Sequence, residues 1–241
     1  MPKYKLFAER KGKLDQARNT RFVKLAREIY MHARRGGPNP EANPALKAAI
    51  ANARAIHMPN ENIERAIRKA TGADKDGVDY EEIIYEGYGP GGAAIMVRCL
   101  TDNRNRTAAD IRAIFNKRGG NLGESGCVSY LFDRKGLLVI PRENGQPDEE
   151  TVLMQALEAG AEDVIVNDDS FEVLTEPSDF DKVKTALEEA GHGFATAEVR
   201  WLPKTTVKVE GENAEKLAQM LDAFDDNDDV QDVYHNFELP E

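Results

Sequence analysis

The sequence predicts an α+β protein of several domains: an N-terminal three-helix domain and two ferredoxin-like α+β domains, one inserted in the other. Three observations lead to this fold class. Apolar residues recur at helical spacing up to Gly72, strand-like runs begin at Tyr80, and the later elements follow the order β-α-β-β-α-β. The predicted boundaries are 1–77 for the basic helical domain, 78–134 with 204–241 for the discontinuous domain, and 135–203 for the inserted domain.

Three helices account for the first domain. The first is predicted over 20–35, where apolar residues lie on one face and basic residues on the other. Asn43 followed by Pro44 starts the second helix, because Asn caps free amides and proline fits the first turn. The third is predicted over 60–71. Residues 1–18 are basic with interleaved aromatic side chains, which indicates a mobile arm that orders on binding.

The inserted domain has a complete β-α-β-β-α-β pattern, which folds as a four-stranded antiparallel sheet with two helices on one face. Its predicted elements are strand 137–140, helix 148–159, strands 164–166 and 171–174, helix 178–190 and strand 195–201. The segments on either side each supply a β-α-β half of the other ferredoxin-like domain. These halves are strand 93–100, helix 107–118 and strand 128–133, then strand 205–209, helix 213–224 and strand 230–237.

The heptad Thr101–Thr107, Thr-Asp-Asn-Arg-Asn-Arg-Thr, lies between a predicted strand and a predicted helix. Thr107 and Asp110 have the capping-box spacing, which predicts Thr107 as the N-cap. Arg104 and Arg106 precede the positive end of the helix dipole, so we expect a negative group beside them. That group is either a phosphate of a bound nucleic acid or a carboxylate that joins two domains.

Charge is distributed unevenly along the chain. Residues 1–72 hold 16 Lys+Arg against 6 Asp+Glu, a net charge of +10, whereas residues 73–241 hold 16 against 37, a net charge of −21. A basic first third attached to an acidic remainder is expected when one end of a protein approaches a polyanion. The alternative is a solvated basic face that only offsets the acidic domains.

A nucleic acid is therefore the expected partner. The candidate phosphate contacts are basic residues outside the apolar stripes, together with the two arginines of the heptad. They are Lys11, Lys13, Arg18, Arg21, Lys24, Arg34, Arg35, Arg54, Arg65, Arg68, Lys69, Arg104 and Arg106.

Enzymatic chemistry is not expected, because no set of catalytic groups converges in the sequence. The glycines of 87–92 formally match G-x-G-x-x-G, but a strand follows them where a dinucleotide site needs a helix. The acidic run 225–229 lacks the Gly and Glu positions of a calcium loop and is interpreted as a solvated loop. No cofactor or metal is predicted. Two cysteines without metal-ligand spacing indicate reduced, packed thiols.

No apolar run approaches the roughly 18 residues that span a membrane, so we expect a cytoplasmic protein without a membrane partner. With 41% hydrophobic and 31% charged residues, the composition is that of a globular protein. The sequence leaves the oligomeric state open.

Several ungapped runs resemble the YebC family of bacterial and organellar proteins. They are Glu41-Ala-Asn-Pro44, Asn62-Ile-Glu-Arg-Ala-Ile67, Tyr85-Glu-Gly-Tyr-Gly-Pro-Gly-Gly92, Leu100-Thr-Asp-Asn-Arg-Asn-Arg-Thr107 and Gly119-Gly-Asn-Leu-Gly-Glu124. The resemblance covers the chain from about Lys11 and implies a three-domain architecture. The Gly-His-Ser-Lys-Trp string typical of the family is replaced by Met1-Pro-Lys-Tyr-Lys-Leu-Phe7, so its contacts cannot be transferred.

The family resemblance implies one of two functions: DNA-binding regulation of transcription, or ribosome-associated help in translation, including through proline-rich stretches. Mitochondrial members are translational activators of cytochrome c oxidase. We take the DNA-binding regulator as the leading hypothesis and the ribosome-associated factor as the alternative. A second alternative, from the fold alone, is a ligand-sensing or assembly module, since ferredoxin-like domains host many functions.

Overall fold

A computed structural model of the protein describes residues 14–72, 77–143 and 146–238, with side chains from residue 20 onward. It confirms the α+β class with an N-terminal helical region. The described residues fall into two compact units, one formed by 14–128 with 209–233 and the other by 129–208 with 234–238. The three predicted domain boundaries stay a prediction.

Three helices form the N-terminal helical region: α1 (Leu14–Gly36), α2 (Pro44–Ala55) and α3 (Asn60–Thr71). The Asn43 side chain accepts a hydrogen bond from the Leu46 amide, which confirms Asn43 as the cap of α2. A shared apolar core that includes Ile29, Leu46 and Ile63 holds the helices together. Because α1 begins before residue 20, residues 14–18 are helical and the prediction of an arm is wrong there; residues 1–13 lie outside the described part.

The first unit also contains a four-stranded sheet. Its strands are β1 (Glu81–Tyr88), β2 (Ala94–Thr101), β3 (Asn121–Leu122) and β9 (Val230–His235), in the order β3-β1-β2-β9. Helices α4 (Arg104–Lys117) and α7 (Gly211–Asp225) contribute to its core. Phe115 of α4 meets Phe224 of α7 edge to face, with ring centroids 5.1 Å apart. The two chain segments of the predicted discontinuous domain therefore share one core.

The strand predicted over 128–133 is wrong. Residues 129–131 form a 3-10 turn, and Phe132 begins β4 (Phe132–Pro141), which belongs to the other sheet. The Glu86 carboxylate accepts hydrogen bonds from the amides of Gly126 and Val128, so these amides do not join a strand ladder.

The strand predicted over 205–209 is also shorter than expected. Only β8 (Val207–Lys208) is extended, and it pairs in parallel with β10 (Phe237–Glu238) outside the four-stranded sheets.

The second unit confirms the predicted β-α-β-β-α-β order. After β4 come α5 (Glu149–Ala159), β5 (Asp163–Val166), β6 (Ser170–Thr175), α6 (Phe180–Glu189) and β7 (Thr196–Pro203). The strands lie in the order β5-β6-β4-β7, and every neighbouring pair is antiparallel. Asp148 caps α5 by accepting from the Thr151 amide, and Gly160 ends it with a φ of 105°. Leu138, Phe171 and Val183 lie in the core between sheet and helices.

Candidate nucleic-acid interface

Arg65, Arg68 and Lys69 form an exposed basic face on α3. Their spacing of three and four residues places them on the same side, away from the buried Ile63 and Ala66. The Arg65 guanidinium hydrogen-bonds to the neighbouring Asn62 side chain. Neither Arg68 nor Lys69 makes an ion pair with a described residue. Both charges are therefore available to a ligand.

Arg21 of α1 and Arg54 of α2 are exposed as well, and neither is ion-paired in the described part of the chain. Arg54 lies in the last turn of its helix, as Arg68 and Lys69 do in α3. Cations are favoured there because the helix dipole ends in unsatisfied carbonyl groups. The positions of these side chains are thus stabilised without a ligand, while their outer atoms stay in solvent.

Arg34 and Arg35, in the last turn of α1, are exposed but engaged by the segment that leads to β1. Arg34 Nε donates to Asp79 Oδ1 at 2.7 Å, and Arg35 Nη2 donates to the Tyr80 carbonyl at 3.4 Å. Asp79 is itself 85% exposed. A pair this exposed to solvent is weak, so a phosphate can compete for Arg34.

Lys24 does not join the exposed basic residues, although the sequence predicted it on the outward face. Its Nζ donates to the Asp225 carbonyl at the end of α7, at a distance of 2.8 Å. Burial lowers the pKa of Lys24, against the attraction of nearby aspartates that include Asp225. This lysine connects α1 to the end of α7. Lys11 and Lys13 lie outside the described residues, and so does the side chain of Arg18.

Arg27 joins the helical region to the sheet region through Asp229. Its Nη1 donates to Asp229 Oδ1 at 2.9 Å and to the carbonyls of Leu100 and Asp228, each at 2.8 Å. The side chains of Arg27 and Asp229 are 14% and 7% exposed. A buried carboxylate needs such partners, because an unpaired one carries a large desolvation cost.

The other oxygen of Asp229 binds the heptad. Arg106 Nη2 and Thr107 Oγ1 each donate to Asp229 Oδ2 at 2.8 Å and 2.7 Å, and Thr101 lies at 3.5 Å. We call these five residues, Arg27, Thr101, Arg106, Thr107 and Asp229, the Asp229 cluster. Burial alone would raise the pKa of Asp229, but hydrogen bonds from Arg106, Thr107 and Arg27 hold it below its usual range.

The predicted N-cap at Thr107 is wrong. Helix α4 begins at Arg104, and its cap is Asn103, whose side chain accepts from the Arg106 amide at 3.1 Å. Thr107 lies within the first turn and is buried against Asp229, so its hydroxyl is already engaged.

Arg104 differs from Arg106. It pairs with Glu81 at 3.2 Å, and both side chains are more than half exposed. Arg106 also pairs with Asp102 at 2.8 Å in addition to Asp229. The heptad therefore gives one arginine to an internal contact and leaves the other in solvent with a weak partner.

Arg98 forms a second contact between α1 and the sheet, which the sequence did not suggest. Its guanidinium pairs with Glu28 of α1, with Glu82 at 3.1 Å and with Asp232 at 2.7 Å. Arg27, Asp229, Arg98 and Glu28 were all missed as site residues. The prediction of a solvated loop for the acidic run 225–229 is wrong for Asp229, because that residue is only 5% exposed.

Among the described residues, no group of three His, Cys, Asp or Glu side chains is arranged to hold a metal ion. No helix in the same part of the chain combines the length and apolar character needed to cross a membrane.

Comparison with known proteins identifies relatives of the whole chain. The model of the "TACO1/YebC protein N-terminal domain" matches residues 2–73, and that of the "TACO1/YebC second and third domain" matches residues 80–237. A protein of Geobacillus sp. (strain WCH70), named a probable transcriptional regulatory protein, is 54% identical over 236 residues, 98% of this chain and 96% of that one. A relative of the same name from Pelotomaculum thermopropionicum is 52% identical over 237 residues, covering 98% and 97%.

The fold is also that of a solved structure. The crystal structure of a conserved hypothetical protein from Aquifex aeolicus matches with a TM-score of 0.85 and 47% identity, over 98% of this chain and 97% of that one. Both the sequence and the fold are thus shared along nearly the full length. The chain belongs to the TACO1/YebC family.

Proposed function

We propose that this protein is a non-enzymatic regulator of gene expression that binds nucleic acid through its helical region. The observation that carries the proposal is a set of exposed cations that make no ion pair with a described residue: Arg21, Arg54, Arg68 and Lys69. Arg65 lies beside the last two on α3. Phosphate contacts by such residues provide affinity without sequence preference. Arg34 and Arg35 extend the set, because their hydrogen bonds to Asp79 and to the Tyr80 carbonyl are exposed to solvent.

Duplex DNA is the first target, which the names of the bacterial relatives support. Ribosomal RNA is the second, supported by a specific feature of the cations. Five of them lie in the last turns of three different helices, whereas a helix that reads the major groove presents its contacts along one face. These five are Arg34, Arg35, Arg54, Arg68 and Lys69. Cations at separate helix ends suit an irregular backbone such as folded RNA.

The test is the salt dependence of binding. Replacing Arg54, Arg65, Arg68 and Lys69 with alanine should make the slope of log affinity against log salt shallower by roughly 3.6 for duplex DNA, or roughly 2.8 for single strands, if each contacts one phosphate. Fluorescence anisotropy with a labelled duplex and a labelled ribosomal RNA hairpin measures both slopes.

A matched control removes four lysines elsewhere: Lys182, Lys184, Lys204 and Lys216. Three of these are in exposed pairs with acidic residues. Both quadruple variants have the same net charge, so a general charge effect would change both slopes equally. Equal slopes in the two variants would contradict the proposed interface. Weaker RNA binding at unchanged DNA binding would assign the site to RNA.

A further inference from the structure

The inserted region, residues 135–203, carries the entire excess charge of the protein. It holds 5 Lys+Arg against 16 Asp+Glu, a net charge of −11, while the rest of the chain holds 27 of each. A region of this charge repels nucleic acid and attracts cationic partners. Its surface is therefore suited to a different ligand from the one proposed for α1–α3.

Helix α5 of this region leaves an apolar strip uncovered. Val152 and Ala156 are buried against the sheet, whereas Met154 and Leu157 are 55% and 56% exposed. Three residues apart on a helix, these two side chains are neighbours. Leu153 is half-buried beside Met154, and these two side chains line a shallow depression on the protein surface. An exposed cluster of large apolar side chains is typical of interaction sites.

Carboxylates surround this strip. Asp148, Glu149 and Glu150 line the depression at the start of α5, and Glu158 is exposed beside Leu157. The helix dipole favours acidic residues in the first turn, which explains Glu149 and Glu150 without a partner. It explains neither the exposure of Met154 and Leu157 nor the position of Glu158, since the last turn disfavours a negative charge.

The neighbouring cations leave most of this charge uncompensated. Arg142 Nη1 lies 3.8 Å from Glu149 Oε2, at the limit of an ion pair, and its guanidinium lies over the Phe171 ring. Glu150 and Glu158 form no ion pair with a described residue. The apolar strip is thus bordered by two carboxylates, Glu150 and Glu158, that remain available to cations of a partner.

We propose that α5 docks a partner protein through a basic amphipathic helix, with apolar residues on Met154 and Leu157 and lysines or arginines on the surrounding carboxylates. Charge complementarity decides the class of partner. A nucleic acid would be repelled, whereas a cationic helix with one apolar face matches both parts of the surface. Rim charges set the association rate, and the buried apolar anchors set the dissociation rate.

The probe is an 18-residue amidated peptide of leucine and lysine with helical amphipathic spacing. A second peptide of the same charge has serine in place of leucine. Isothermal titration calorimetry with the full-length protein should detect binding of the first peptide and much weaker binding of the second. Met154→Ser/Leu157→Ser should weaken binding of the first peptide at least tenfold, and Glu150→Gln/Glu158→Gln should weaken it mainly at low salt.

The matched control is Val23→Ser/Val78→Ser, which removes two exposed apolar side chains from the other unit. Its affinity for the leucine–lysine peptide should stay within twofold of the original value. Circular dichroism establishes that each variant is folded. Equal binding by the Met154→Ser/Leu157→Ser variant, or equal binding of the serine peptide, would overturn the proposal.

Two other possible occupants of the apolar strip would give different experimental results. If sedimentation velocity finds a dimer that Met154→Ser/Leu157→Ser abolishes, the strip is an interface between two copies of this chain and the proposal fails. If Leu6→Ser/Phe7→Ser strengthens peptide binding at least tenfold, the chain's own basic N-terminal segment occupies the strip, and the proposal again fails. Neither result affects the salt-slope test of the helical region.

Discussion

Arg27 Nη1 donates to Asp229 Oδ1 at 2.9 Å, although the two residues are 202 positions apart in the chain. The contact is largely buried, and the second oxygen of the same carboxylate binds Arg106 and Thr107. One carboxylate therefore connects the helical region, the start of α4 and the turn before β9.

We expect Asp229→Asn to lower the free energy of unfolding by about 2–4 kcal/mol, because the amide cannot compensate the Arg27 charge in a buried position. Denaturant titration followed by circular dichroism measures the change. Asp102→Asn is the control, since Asp102 pairs with Arg106 but is 45% exposed and should cost less than about 1 kcal/mol. Similar losses in the two variants would contradict the importance of the cluster.

Replacing the heptad arginines one at a time should separate their roles. Arg106→Ala should reduce stability while leaving the salt slope of nucleic-acid binding unchanged, because its guanidinium is bound to Asp229. Arg104→Ala should cost less than about 1 kcal/mol, since its pair with Glu81 is exposed. Anisotropy and denaturant titration on the same samples give both values. A shallower slope for a folded Arg106→Ala protein would make Arg106 a phosphate contact.

Acid should destabilise the folded protein through protonation of Asp229. Its pKa is lower in the folded protein than the roughly 3.9 of an unfolded chain, so its contribution is present above about pH 4 and is lost as the pH falls through the folded value. Asp229→Asn should therefore lose less stability than the original protein between about pH 5 and pH 2.

Glu28 should affect the pH dependence of stability in the opposite direction to Asp229. Burial raises its pKa in spite of the pair with Arg98, so protonation of Glu28 favours the folded state. In the original protein, protonation of Glu28 offsets part of the stability lost in acid. Glu28→Gln lacks this compensation, so the variant should lose more stability than the original protein as the pH falls. If both variants followed the pH profile of the original protein, neither carboxylate would control its acid stability.

The Cys99 thiol should be unreactive in the folded protein. It is fully buried in β2, and burial raises its pKa to about 12, so almost no thiolate exists at pH 8. In a Cys127→Ser variant, titration with a thiol reagent should find no reactive thiol before unfolding and one after addition of guanidinium. Rapid reaction of the folded variant would contradict the burial of this side chain.

Gly120 should not tolerate a methyl group. A Cβ there would lie 2.5 Å from the Tyr88 carbonyl oxygen and 2.8 Å from Met220 Cε, and the backbone atom cannot move aside. We expect Gly120→Ala to cost about 2–3 kcal/mol. Gly92→Ala is the comparison, because its Cβ would meet no atom within 4 Å and only its φ of +79° would be strained, at about 1 kcal/mol. Thermal unfolding of both variants measures the difference.

The sequence predicted those features that depend on neighbouring residues. The Asn43 cap, the helical core and the β-α-β-β-α-β order of the second unit follow from local spacing, and the structure confirms them. The cap of α4 could not be decided in this way, because Asn103 and Thr107 are both good cap residues four positions apart. Thr107 is excluded from this role by its hydrogen bond to Asp229, a residue 122 positions away.

The internal contacts at the candidate site were missed for the same reason. Lys24 and Arg27 follow the basic pattern of α1, and no nearby residue indicates that their partners come from the far end of the chain. The strand expected over 128–133 does not form at its start, because the buried Glu86 carboxylate accepts the Val128 amide, and residues 132–133 belong to β4 instead. Which cations remain exposed is decided by these long-range contacts.

The separation of Arg27 from Asp229 has a consequence for biosynthesis. At about 5–20 residues per second, a ribosome needs roughly 10–40 s to extend the chain by the 202 positions between them. During that interval Arg27 cannot yet pair with Asp229, and the core that β2 and α4 share with α7 and β9 is incomplete. The contacts around Asp229 can therefore form only after α7 and β9 have been made.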